Sequence, residues 1–161
     1  MLIAEADVDF FIDECDRATA ASLLPDAGPG WCNEDLLEFE PGRTMIGYLS
    51  LLDVDSLDEN SASIMLTLLE RQQAWLAEMG VRVTALVAGP TPPAADPNST
   101  DMVERDPIDA GANLVAASLG LTSGGAQTRV DTARAITEML PRCQVAMAAG
   151  LMGYWHARVV A

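Results

Sequence analysis

The chain has 161 residues, half of them hydrophobic, with 24 acids against nine basic residues and a formal net charge of −15. That length holds one domain with a real core, and the acidity opposes general nucleic-acid binding, where phosphate neutralisation supplies most of the non-specific affinity. No unbroken apolar run approaches the roughly eighteen residues of a membrane span, and the start MLIAEADVDFFIDE lacks a basic n-region or cleavage site, so a cytoplasmic location is expected.

The charge is unevenly placed. Residues 1–60 hold fifteen acids against Arg17 and Arg43, a net of −13, whereas residues 110–161 hold Asp131 and Glu138 against Arg129, Arg134, Arg142 and Arg158, a net of +2. The back of the chain can therefore carry a weakly basic face. Every basic residue is Arg. Cys15, Cys32 and Cys143 are odd in number and without CxxC spacing, which points to small buried or half-buried thiols rather than disulfides or a zinc site.

Residues 1–35 form an acidic leader with a short helix expected over about 5–22 and loop chemistry from Pro25 to Trp31. Pro41 and Gly42 introduce a helix over about 42–52, with Met45, Ile46, Leu49 and Leu52 as its stripe. Asp53-Val54-Asp55 breaks it. Ser56 and Glu59 have capping-box spacing, and a long helix is predicted from 56 to 88. Its stripe is Ile64, Leu68, Trp75, Met79, Val83 and Leu86, widened by Met65, Leu69 and Leu76, with Glu70, Gln73 and Glu78 opposite. Gly80 interrupts the pattern and is the place for a kink.

Residues 89–100, GPTPPAADPNST, cannot continue a helix and form a Pro-rich linker. Pro107 suits the first turn of a helix ending at Leu119. Gly120 then supplies a left-handed turn, and Thr122 caps a second helix running to about Leu140. The pair, over about 108–140, is helix-turn-helix-like. Ala116 is small where the two helices approach. Ala126, Val130, Ala133, Thr137 and Leu140 form the buried face of the second helix. Ser123, Gln127, Arg129, Thr132, Arg134 and Glu138 are left to face outward. Pro141 opens a small-residue helix closed by Gly150, and Tyr154 to Ala161 begins another helix, left unfinished at Ala161 as in a truncated product. The fold class expected is all-α, a helical bundle over 36–161.

Gln127, Arg129, Arg134, Arg142 and Arg158 are the candidate DNA-contact residues, suited to phosphate or base edges, although Gly124-Gly125 and Asp131 oppose that use. No catalytic set, cofactor site or metal site is expected. Ser50, Ser56 and His156 lack a nucleophile elbow or an orienting carboxylate, the paired acids mark helix starts, and GLTSGG lacks the ending of a phosphate loop.

The order of these features carries a resemblance. Leu119 to Thr122 as a leucine-glycine turn, Arg129 to Pro141 as an RVDTARAITEMLP helix, the Ala148 to Gly150 AAG step and the HARV segment His156 to Val159 resemble the domain of unknown function 222, or thirteen-E-twelve repeat family. The stretch GRTMIGYLSLLDVDSLDENSASIMLTLLERQQAWLAEMGVRVTALVA is similar to its upstream helices, including a central Gln-x-x-Trp, Gln72 to Trp75. The resemblance implies association with HNH endonucleases, whose histidines and Asn hold a metal and activate water. This chain has one histidine, His156, in the HAR segment. The leading expectation is therefore a non-catalytic accessory domain of an HNH endonuclease-type protein. A helix-turn-helix-like DNA-binding module is the second, and a protein-interaction or oligomerisation domain, docking another chain through the C-terminal helix, the third.

Overall fold

In the computed structural model every regular element among the described residues is helical. The structure describes Cys32, 34–94, Asp96, Asn98, Ser99, Asp101 and 109–161. The helix expected over 5–22, Cys15, most of the acidic leader and Pro107 lie outside these residues. The α-helices are α1 (Arg43–Leu49), α2 (Glu59–Ala88), α3 (Ala110–Leu119), α4 (Ser123–Met139), α5 (Pro141–Ala148) and α6 (Tyr154–Val160). Short 3-10 turns occupy Glu34–Glu38 and Val54–Ser56. No helix is long and apolar enough to cross a membrane. The chain divides into two compact units, one running up to Trp75 and including Ala148–Gly153, the other comprising Leu76–Met147 and Tyr154–Ala161.

The core of the first unit gathers Cys32, Leu36, Met45, Tyr48, Leu49, Ile64, Met65 and Leu68, with Leu37, Leu52 and Leu57 packed against it. Burial, followed by the neighbouring Cys32, pushes the Tyr48 phenol up to about 12. The helix expected over 42–52 ends at Leu49, so only part of its stripe is helical. Gln72 is buried in the middle of a helix because its amide pairs with both backbone polar groups of one residue, Gly42. The Gly42 amide donates to Oε1 and Nε2 donates to the Gly42 carbonyl, each at 3.0 Å. Losing that side chain would leave both backbone groups unsatisfied, which costs about 1–3 kcal/mol. Arg71 donates to the Leu37 carbonyl. Against it lies Gly150, at φ +73°, where a Cβ would stand 2.9 Å from that of Arg71. The glycine expected as a helix stop is thus required twice, for its backbone angle and for space.

The start of α2 differs from the expected capping box. Ser56 belongs to the 3-10 turn, and its hydroxyl donates to the Asp53 carbonyl at 2.8 Å. Asp58 caps the helix instead, its Oδ1 accepting from the Ser61 amide at 2.8 Å while its carbonyl takes the first helical bond from Ala62. A carboxylate two residues later serves the same orphan amides and favours the positive helix end more than a hydroxyl does.

The expected stripe of α2 holds only at its beginning. Ile64, Met65 and Leu68 are buried, whereas Leu69, Leu76, Val83 and Leu86 are exposed, and Glu78, placed on the solvent side by the periodicity, is buried. From residue 72 onward the buried positions are Gln72, Ala74, Glu78, Val81, Thr84 and Ala88. These side chains are small or polar, so neighbours approach closely and satisfy the polar atoms. Arg82 Nε lies 2.8 Å from Glu78 Oε1, and Gln144 Nε2 donates to the same oxygen at 2.9 Å. The helix runs unbroken through Gly80.

The second unit packs Ala88, Ala112, Val115, Ala126 and Val130 together, with Ala116 beside them. Alanine dominates because the backbones nearly touch. A Cβ on Gly111 would stand 2.0 Å from the Ala88 carbonyl oxygen. Asp109 caps α3 by accepting from the Ala112 amide at 3.0 Å. Gly120, at φ +63°, ends that helix in the left-handed conformation, and the Gly120 and Leu121 amides both return to the Ala116 carbonyl. Thr122 Oγ1 then accepts from the Gly125 amide at 3.2 Å and starts α4. Pro141 is the first residue of α5, as its missing amide and fixed φ favour.

Candidate functional site

The five residues with nucleic-acid chemistry in their side chains separate into three groups. Arg134 was expected to face outward and is instead buried. Its Nη1 lies 2.6 Å from Asp109 Oδ2, with only 6% and 11% of the two side chains exposed. The same guanidinium donates to the carbonyls of Ala88, Gly89 and Pro90 at 3.1–3.2 Å. The Ala88 carbonyl is one of the orphan acceptors of the last turn of α2 and the other two follow directly after it, and Arg134 satisfies all three together. Thr132, also expected outside, is buried as well, its hydroxyl donating back to the Thr128 carbonyl at 2.7 Å.

Gln127 is half-buried, and Nε2 donates to Asp109 Oδ2 at 3.2 Å and to Asp131 Oδ1 at 2.9 Å. The hydrogen bond from Arg134, with the Ala112 amide and Gln127 adding to it, holds the Asp109 carboxyl at about 2 against the opposing effect of burial. Gln127 and Arg134 thus serve one internal carboxylate. Arg142 is exposed near the start of α5 and joins neither depression described next.

Arg129 and Arg158 are brought together. Both line an open depression of about 320 Å³ with Leu121, Gly125, Thr128, Tyr154 and Trp155. The Arg158 guanidinium sits 5.2 Å from the centroid of the Trp155 ring, and Tyr154 meets that ring edge-on at 5.9 Å and 68°. Trp155 nevertheless leaves 69% of its surface exposed. Arg129 and Tyr154 also line a neighbouring depression of about 280 Å³ beside Gly80, Thr84 and Ala133. A Cβ on Gly80 would lie 4.0 Å from Arg129 Nη2, an ordinary contact distance, so Gly80 and the guanidinium are neighbours across this depression. Neither lining contains an acidic side chain. The arrangement offers cations for phosphate and a π-face for a planar group.

The family model for a domain of unknown function, DUF222, matches residues 66–161, more than half of the chain. The chain belongs to the DUF222 family. No curated protein and no solved structure matches it. The match takes in most of α2 and all of α3 to α6, so the arginine–aromatic depression lies wholly within the DUF222 region. Among the described residues, no group of three or more His, Cys, Asp or Glu side chains converges on a point where a metal could bind. The described cysteines, Cys32 and Cys143, are free thiols.

Sequence reasoning named the two arginines of this depression and missed its aromatic wall. The signal was available, since Trp155 and Arg158 are three apart on one helix and such neighbours meet on its surface.

Proposed function

We propose that this DUF222 chain acts as a non-catalytic helical accessory domain of an HNH endonuclease-type protein. The observation that carries the reading is the DUF222 match over residues 66–161, within which the LGLT turn, the RVDTARAITEMLP helix, the AAG step and the HARV segment follow in the family's order. HNH chemistry needs several side chains to hold a metal and activate water, and the sequence has the single histidine His156, exposed on α6. Two measurements test it. The purified chain should leave supercoiled plasmid uncut with Mg²⁺ or Mn²⁺, and an HNH reading frame should adjoin the codon for Ala161. Metal-dependent nicking, or unrelated genes on both sides, overturns the proposal.

A second reading, nucleic-acid contact by the domain itself, is favoured by one observation: Arg129, Arg158 and Trp155 share a depression free of acidic lining. Fluorescence anisotropy with labelled DNA at two salt concentrations tests it. The double variant Arg129→Ala, Arg158→Ala should weaken binding at least tenfold. No binding below about 100 µM, the weak limit of ordinary non-specific affinity, removes this reading.

A further inference from the structure

We infer that the depression between α4 and α6 takes an unpaired nucleic-acid strand, with a base against Trp155 and its phosphates on Arg129 and Arg158. The inference rests on the nucleic-acid reading above and narrows it to a substrate class. Three observations lead to it.

The first is the burial pattern of α4. A helix that reads a duplex enters the major groove with one face free along several turns. Thr132, Ala133, Arg134, Ala135 and Ile136 are consecutive and all buried, which is more than a full turn closed on every side. Toward the N-terminal end the exposed residues include Ser123, Gly124 and Gly125, with no long side chain to reach a base edge. Gln127, the one amide there, is committed to Asp109 and Asp131. The second helix of the pair has the turn geometry of a groove reader without the surface of one.

The second is the exposed indole. In a duplex the base faces are stacked on one another and offer nothing to an aromatic ring. In a single strand each base has a free π-face, and stacking on an exposed aromatic is strong and tolerant of sequence. Trp155 is 69% exposed at the mouth of a concave surface. Its ring orientation is set by Tyr154 at the edge and Arg158 over the ring, so the platform is ordered before any ligand arrives.

The third is charge. Neither Arg129 nor Arg158 makes a hydrogen bond or ion pair with a described residue, and the Arg158 guanidinium lies against the Trp155 indole. A flexible backbone can bring a phosphate to each while a base stacks between them. Two such contacts on a single strand give a slope of log K against log salt of about −1.4, far shallower than that of a many-phosphate duplex binder.

The test uses the full chain and fluorescein-labelled probes of about twenty nucleotides: oligothymidylate, oligouridylate and a mixed-sequence duplex. The expected result is at least tenfold tighter binding of one or both single strands than of the duplex. Unequal binding of oligothymidylate and oligouridylate identifies DNA or RNA as the source of the strand. Trp155→Ala should remove about tenfold or more of single-strand affinity, Trp155→Phe should restore most of it, and the weak duplex binding should not change. Trp155 is exposed, so circular dichroism of Trp155→Ala should match the parent. Equal affinity for duplex and strand, or a silent Trp155→Ala, overturns this inference and leaves the broader nucleic-acid reading standing. Absence of binding to all three probes overturns both. A Trp155→Ala variant that alters oligomeric state without altering strand binding also overturns it and assigns the face to a protein partner.

Discussion

Arg134 and Asp109 form a buried ion pair, 2.6 Å from Nη1 to Oδ2, that ties the start of α3 to the end of α2 through one guanidinium. The carboxylate also caps α3, and the arginine also takes three successive carbonyls, Ala88 at the end of α2 and Gly89 and Pro90 just after it. Removing one partner from such a pair strands the other, which is far costlier than never having had the pair. Arg134→Ala should therefore destabilise the protein by about 3–5 kcal/mol in urea denaturation. Arg134→Lys should recover less than half of that, because an ammonium cannot span a carboxylate and three carbonyls at once.

The same pair sets an acid limit. The Asp109 carboxyl is held at about 2, below its usual 3.8, chiefly by the hydrogen bond from Arg134, against the opposing effect of burial. A lowered folded-state value means that its contribution is complete above about pH 4 and is lost as pH falls from there towards 2. The loss is on the order of 2 kcal/mol. Urea midpoints measured between pH 7 and pH 2.5 should show that decline in the parent and a flatter one in Asp109→Asn. A decline of equal size in both would assign it to other carboxylates.

The cap of α2 can be read by a pair of substitutions. Asp58→Ala should lower the thermal midpoint, since the Ser61 amide loses its acceptor, and Ser56→Ala should leave it unchanged, since that hydroxyl serves only the Asp53 carbonyl. The hydrogen bond from Ser61 also lowers the Asp58 pKa. The difference between the two variants should therefore shrink as the carboxyl is protonated. The opposite ranking would restore the serine as the cap.

Two glycines should respond with opposite sign. Gly111→Ala forces a methyl against the Ala88 carbonyl, a backbone atom that cannot turn aside, and should cost about 1–3 kcal/mol or more. Gly124 has open space around its Cβ position in the first turn of α4. Gly124→Ala should stabilise by about 0.5–1 kcal/mol. Chemical denaturation of both variants checks the pair.

Local chemistry made much of the helical order legible. Gly120, Thr122, Pro141 and Gly150 each act on their own turn, and the boundaries of α4 and α5 stand within about a residue of those expected from them. What the periodicity missed depends on partners distant in sequence. Arg134 turns inward for a carboxylate 25 residues away and carbonyls up to 46 away. Glu78 is buried because Gln144, 66 residues on, meets it. Ser56 and Asp58 show a milder limit, since both can cap a helix and only the 3-10 turn decides between them. At the site, charge alone singled out Arg129 and Arg158, whereas Trp155 counts as one more apolar residue until its exposure is seen.

Because Arg134 holds Pro90 and Asp109 at once, the placement of these two residues is fixed by a third element, α4, and not by the chain that joins them. Insertions or deletions between those two anchors should leave the helices on either side in register, which makes this segment the natural place to add a tag or reporter.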